Sequence, residues 1–360
     1  MTRIPVTIMT GFLGAGKTTL LNRLIGDPAF GDTAVIVNEF GEAGVDGGLI
    51  AKGDERAFAM STGCLCCTVS GDVRLTLLGF LDAVEQGFVN KFRRVIIETT
   101  GLADPAPVIQ TFISDEHMLP RFALNGVVTL VDARNGADAL ERFEEARRQV
   151  SVADLLILTK EDLATSADQH QDLCSLRRHL GQMNPNARQI PVQEVTPQEV
   201  FSLAAFDPAG KAPDVRNWLR FETDAHSGHG HDHPHHGHDH HHHRSDVNKH
   251  GEAATAYCIS GPFAVDPWSL ERAIADLQAT FGRDLLRMKG IVEIEGFPST
   301  PRVLHVVGHI ASPPRMIDHW PDGVDQTRIV IIVSGPHREK AREIMERHLP
   351  KLEAFAAEPA

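Results

Sequence analysis

The stretch "TGFLGAGKTTLL", residues 10–21, decides how this chain folds. Its core, Gly11 to Thr18, fits the pattern G-x-x-x-x-G-K-[ST], a loop whose backbone N–H groups cradle phosphates. The pattern carries that meaning only between a strand and a helix. Here "IPVTIMT" (4–10) is an apolar run expected to form a buried strand, and "TTLLNRLIG" (18–26) has helical patterning. The glycines let successive N–H groups turn inward around a β-phosphate at the positive end of the helix. Lys17 is placed to bridge β- and γ-phosphates, and the Thr18 hydroxyl to bind Mg²⁺. Gly11, Gly14, Ala15, Gly16, Lys17, Thr18 and Thr19 are therefore the candidate phosphate-binding residues. A chance glycine-rich turn is the competing reading, and the strand and helix on either side argue against it.

Further along, "TAVIVN" (33–38), "RRVIIE" (93–98), "GVVTLVD" (126–132) and "DLLILTK" (154–160) are short apolar runs. Most are followed by a polar turn and a helical pattern such as "ADALERFEEARRQV" (137–150), expected to be one helix. Strands alternating with helices predict an α/β fold, a P-loop NTPase parallel sheet with helices on both faces. After residue 207 the texture changes. Residues 226–250 are low in complexity and carry 12 of the 20 histidines, so they are expected to form a flexible linker. Beyond it, "ATAYCIS", "PWSLERAIADLQATF", "LLRMKGIVEIEG", "RVLHVVG", "RIVIIVSG" and "REKAREIMERHL" predict a smaller α+β domain. The expected division is 1–206 for the nucleotide domain, 207–252 for the linker, 253–350 for the second domain and 351–360 for a tail.

"RRVIIETTG" (93–101) supplies a second element of a nucleotide site. Glu98 ends a strand and is placed to hold Mg²⁺, and Gly101 to offer an N–H to the γ-phosphate. Leu102 follows, so the glutamine that orients water in many GTPases is absent there, and slow intrinsic hydrolysis is expected. "LTKED" (158–162) addresses the base. Asp162 can accept N1–H and N2–H of guanine, the Lys160 stem can lie along the purine, and Thr159 stands where such sites usually begin with Asn. A helix start capped by Thr159 is the plainer reading of this segment alone. In order after a phosphate loop it favours GTP over ATP.

"MSTGCLCCTVSGD" (60–72) places Cys64, Cys66 and Cys67 within one short, glycine-flanked loop. Thiolates select Zn²⁺ or Cu⁺ over Mg²⁺, and three ligands leave one position of a tetrahedral zinc shell open for exchange. A redox switch and plain buried thiols are the alternatives. Upstream, Glu39 and Glu42 in "NEFGEAGVDGG" (38–48) can touch Mg²⁺, lend a carboxylate to the transferred metal, or be solvated loop acids. In the linker, His229, His231, His233, His235 and His236 form part of an imidazole-dense run suited to Zn²⁺, Ni²⁺ or Co²⁺ as a low-affinity reservoir, with a solubilising linker as the alternative.

The formal net charge of −13 argues against a nucleic-acid partner. No apolar run approaches the roughly 20 residues that cross a bilayer, and the N-terminus does not read as a signal peptide, so a reducing cytoplasm is expected.

Taken together, "TGFLGAGKTTLLNRL", "VNEFGEAGVDGGLI", "TGCLCC", "ETTGLADPAPVIQTF" and "LTKEDL" resemble, in order, the motifs of CobW-like GTPases, metallochaperones of the SIMIBI class of P-loop proteins. "LLRMKGIVEIEG" and "HWP" resemble the C-terminal domain of that family. The resemblance implies GTP hydrolysis coupled to delivery of zinc to a client metalloprotein, with GTP, Mg²⁺ and Zn²⁺ as cofactors. Cobalt delivery in cobalamin synthesis, with Co²⁺, and zinc buffering with little turnover are the alternatives. A nucleotide- or metal-dependent homo-oligomer fits the same reading.

Overall fold

The structure, a computed structural model, describes residues 3–38, 58–59, 65–69, 72–203, 254–311, 314–317, 320, 326–335 and 337–355. Two sheets are present among them. The first contains β1 (Ile4–Gly11), β2 (Thr33–Asn38), β3 (Phe58–Ala59), β4 (Leu65–Val69), β5 (Arg94–Glu98), β6 (Phe122–Asp132), β7 (Leu155–Thr159) and β8 (Arg188–Pro191). Their spatial order is β3-β4-β2-β5-β1-β6-β7-β8. Only β3 runs antiparallel to its neighbour.

A parallel sheet is covered on both faces, so its strands are apolar throughout rather than alternating. Ile8 and Met9, adjacent in β1, are both fully buried but join different clusters. On one face Val6, Ile8, Ile36 and Ile97 pack against α2 (Val73–Glu85) and α3 (Ala106–Ser114). On the other, Met9, Val35, Ile96 and Val128 pack against α1 (Lys17–Ile25) and α7 (Pro197–Phe201). The expected wrapped parallel sheet is therefore present.

The predicted helix over 137–150 is instead two, α4 (Gly136–Arg142) and α5 (Glu144–Ser151). Between them Phe143 adopts an extended conformation, φ −122° and ψ 123°. Its ring lies 4.6 Å from that of Phe12 in the phosphate loop. A straight helix would give up this packing, so tertiary contact overrides the helical periodicity. The helix α6 (Ala167–Met183) carries Cys174, an exposed free thiol.

The second sheet is antiparallel: β9 (Ala254–Gly261), β10 (Leu285–Ile294), β11 (Phe297–Val307), β12 (Ile310–Ala311), β13 (Arg315–Met316), β14 (Thr327–Ser334) and β15 (Glu353–Phe355). Its order is β12-β11-β10-β14-β9-β15, with β13 also on β11. One face, with Tyr257, Ile259, Ile329 and Ile331, buries against α8 (Pro267–Phe281) and α9 (Arg338–His348). The other presents Cys258, Leu286, Val330 and Ile332 to Val150, Leu176 and Leu180 of the first unit. Burial pushes the Cys258 thiol up to about 12, which makes it an inert apolar filler. A sheet buried on both faces again explains the apolar runs "RIVIIVSG" and "ATAYCIS".

At this contact three charges meet out of water. Asp154, just before β7, lies 3.1 Å from Arg287 and also pairs with Lys289, both on β10. Arg287 donates in addition to the Val152 carbonyl. The two cations hold the Asp154 carboxyl well below the usual carboxylate range despite its burial. Burial and the neighbouring Arg287 push Lys289 down to about 8, outweighing Asp154.

Candidate functional site

The carboxyl ends of the parallel strands bring the sequence-distant candidates to one edge of the sheet. Gly11 ends β1, Glu98 ends β5, Asp132 ends β6 and Thr159 ends β7. Register places Met9 beside Glu98, Gly11 beside Leu130, and Asp132 beside Thr159. This edge is where open α/β sheets bind ligands, at the point where connections leave in opposite directions.

Gly11 has φ +142°, and a Cβ there would sit 2.4 Å from the Leu130 carbonyl oxygen. Only glycine lets the chain leave β1 so close to β6. Gly16 caps α1 in a left-handed conformation, leaving the first N–H groups of that helix aimed into the loop. Lys17 is buried, and its ammonium donates to the Gly11 carbonyl at 2.8 Å, with Phe12 at 3.4 Å. Burial lowers its pKa, against a smaller raising effect of Glu98.

The Thr18 hydroxyl donates to a Glu98 carboxylate oxygen across 2.7 Å. Glu98 is 4% exposed. Two hard oxygen donors from opposite sides of the loop suit Mg²⁺ and not a soft metal, so the residues present fit that ion. Gly101 presses on the phosphate loop, since a Cβ there would lie 2.6 Å from the Leu13 Cα. Leu13 and Leu102 flank it, both more than half exposed.

On the other side, Lys160 adopts a left-handed conformation, φ 61°. Its ammonium crosses to the Gly14 carbonyl at 3.0 Å and to Asp132 at 2.7 Å. Lys160 and the N–H groups of Arg134 and Asn135 hold the Asp132 carboxyl below its ordinary value, against the effect of burial. Asp162 is exposed, in a short 3-10 turn after β7. Thr159 is buried and its hydroxyl lies 3.0 Å from the Ala15 carbonyl, so in this arrangement it braces the loop. Ala15 is buried beneath the loop, and Thr19 is exposed on α1.

Sequence reasoning missed two residues of this edge. Asp132 anchors Lys160, and Gln149 on α5 grips the segment after Glu98. Neither belongs to a motif. The "VD" that ends β6 is the one signal that was available, as a carboxylate closing an apolar run.

The thiol segment is placed only in part. Cys66 and Cys67 lie in β4, a strand and not the expected loop, because Leu65–Val69 extend the sheet by pairing with Ala34–Asn38. Cys64, Glu39, Glu42 and the histidines His229, His231, His233, His235 and His236 fall outside the described residues. In register, Cys67 stands beside Ile36 and Ile36 beside Ile97, one residue before Glu98.

Residues 5–191 match the CobW/HypB/UreG nucleotide-binding domain, and residues 254–349 match the cobalamin synthesis protein CobW C-terminal domain. The chain belongs to the CobW/HypB/UreG family. Among CobW/HypB/UreG relatives, the zinc chaperone YjiA of Escherichia coli is 42% identical over 196 residues, 54% of this chain and 58% of that protein. Zinc-regulated GTPase metalloprotein activator 1 of Schizosaccharomyces pombe is 38% identical over 172 residues, 45% of this chain and 40% of that one. The chain thus spans about half the length of the curated relatives it matches. The crystal structure of Zn(II)-bound YjiA GTPase from E. coli superimposes with a TM-score of 0.68 at 30% identity, covering 96% of this chain and 99% of that one. Both sheets of this family member are thereby accounted for, including the antiparallel one that the CobW C-terminal domain contributes. Among the described residues no helix is long and apolar enough to cross a membrane.

Proposed function

We propose that this chain is a GTP-hydrolysing metallochaperone that passes zinc from Cys64, Cys66 and Cys67 to a client metalloprotein. One observation carries the reading. The thiol-bearing strand β4 shares a sheet with the nucleotide edge, and only β2 separates it from β5 and Glu98. At about 4.8 Å between strands, Cys67 and Ile97 are roughly 10 Å apart along the backbone row. A change at Glu98 on loss of the γ-phosphate has only one intervening strand to cross.

In this reading Gly11–Thr19 cradle the phosphates, Lys17 leaves its loop carbonyls for the β- and γ-phosphates, and Gly101 faces the γ-phosphate. Asp162 takes guanine while Lys160, fixed by Asp132, lies along the ring. Mg²⁺, held by Thr18 and Glu98, supplies neutralisation of phosphate charge. Glu39 and Glu42 lie on the segment between β2 and the thiols and are assigned to Mg²⁺ or to the cargo. The five histidines of the linker are assigned to metal collection. The relatives' names, zinc chaperone and zinc-regulated GTPase metalloprotein activator, support zinc as the cargo over Co²⁺. Reduced thiols require a reducing compartment, so we place the protein in the cytoplasm, with nucleotide- or metal-dependent self-association as part of its cycle.

The test is zinc transfer from the loaded protein to an apo-client in the presence of GTP, for wild type and for Cys66→Ala and Cys67→Ala. The variants are expected to lose transfer while keeping nucleotide affinity. Transfer at the wild-type rate would remove the thiols from the mechanism.

A further inference from the structure

In the loop expected to face the γ-phosphate, Gly101, Leu102 and Ala103 carry no polar side chain of their own, and Asp104 after them accepts the Ala106 N–H at 2.9 Å. The Gly101 and Ala103 carbonyls are held from outside, by α5. Gln149 on that helix is fully buried. Its Nε2 lies 3.1 Å from both the Gly101 and the Ala103 carbonyl oxygens, so one amide group closes both ends of the turn. Its Oε1 has no hydrogen-bond partner among the described residues. Burying half an amide unsatisfied is costly, so a glutamine here is a poor choice for packing alone. Next to it, Arg148 lies 3.2 Å from Asp104, the following residue of the same loop.

We propose that Gln149 is a positioning residue for hydrolysis, holding the Gly101–Ala103 turn in the shape that receives the γ-phosphate. The inference rests on the reading of the chain as a GTPase. Its physical basis is the planar trans peptide: fixing the Gly101 carbonyl toward α5 points the Leu102 N–H the opposite way, and the same holds for Ala103 and the Asp104 N–H. The turn cannot slide, because Gly101 already abuts Leu13.

The helix is itself a fixed frame. Phe143 at its start packs on Phe12, and the Gln149 carbonyl accepts from the Thr129 hydroxyl at 2.7 Å. Past its end the Val152 carbonyl accepts from Arg287 of the second sheet. The γ-phosphate turn is thus referenced to both the phosphate loop and the C-terminal sheet through one short helix.

The experiment uses the full chain with Mg²⁺ and the variant Gln149→Met, which keeps length and apolar bulk but removes both donors. Fluorescent GDP, a fluorescent non-hydrolysable GTP analogue and steady-state GTP turnover are measured. The expected result is a kcat about tenfold lower and a GTP-analogue affinity about tenfold weaker, with GDP affinity within about twofold of wild type. A merely structural role would weaken both nucleotides equally, and that result overturns the proposal, as does an unchanged kcat in an active wild type. If wild type turns over no GTP, the proposed function fails, whereas the ratio of triphosphate to diphosphate affinity still decides the role of Gln149. Should Gln149→Met lack a cooperative melt, Arg148→Met releases Asp104 from the same helix. It is then expected to lower the same affinity ratio, and an unchanged ratio overturns the proposal.

Discussion

Asp154 and Arg287, 133 residues apart, meet at 3.1 Å where the two sheets pack, and Lys289 joins them on the same carboxylate. The Asp154 side chain also accepts from the Val127 N–H of β6, at 2.8 Å. One carboxylate therefore ties the second sheet to two strands of the first. Removing its charge leaves two buried cations without an anion, and breaking one side of a buried pair costs about 3–5 kcal/mol. Asp154→Asn is expected to destabilise the chain by that amount in urea unfolding at pH 7.

The same group sets an acid limit. A carboxylate whose folded pKa is depressed contributes stability above its unfolded value of about 3.8, and that contribution is lost as pH falls through the folded value. Wild type and Asp154→Asn should therefore converge in stability as pH is lowered from 5 to below 3. A constant gap across that range would show that the carboxylate is not the responsible group.

Lys289 works in the opposite window. Its folded value of about 8 lies below the ordinary 10.5, so between those values the unfolded chain binds more protons than the folded one. Stability from this site rises with pH across that interval, as the burial cost of the charge is relieved. Compared with Lys289→Met, wild type is expected to gain in melting temperature between pH 7.5 and 10. A gain of equal size in the variant would assign the effect elsewhere.

Gly101→Ala tests the contact between the phosphate loop and the turn proposed to face the γ-phosphate. The new Cβ would lie 2.6 Å from the Leu13 Cα and 2.7 Å from its nitrogen, both backbone atoms that cannot yield cheaply. The turn is expected to lift away, lowering GTP turnover by about tenfold or more. GDP affinity should hold, because in the proposed reading only the γ-phosphate meets this turn.

In the proposed reading, base selection rests on Asp162. Asp162→Asn replaces one acceptor with a donor, which opposes the N2–H of guanine and suits the carbonyl that xanthine carries at that position. Fluorescent GDP should bind about tenfold to a hundredfold more weakly and XDP more tightly, read by titration. Equal losses for both bases would place the purine away from this turn.

Much of this molecule could be read along the chain. Gly11–Thr18 with its flanking strand and helix is a contiguous device, and Glu98, Lys160 and Asp162 stand out because the first closes an apolar strand and the other two follow one. Residue patterns report local backbone geometry and strand ends, since both depend on near neighbours. The single helix expected over 137–150 failed for the complementary reason: Phe143 answers to Phe12, 131 positions away, rather than to its own helical period. Only the tertiary structure decided that Asp132 anchors Lys160, that Gln149 grips the turn after Glu98, and that Asp154 receives two cations from β10. These pairs are set by strand order and register, which bring distant strand ends to one edge, and no spacing along a single segment encodes which strands become neighbours.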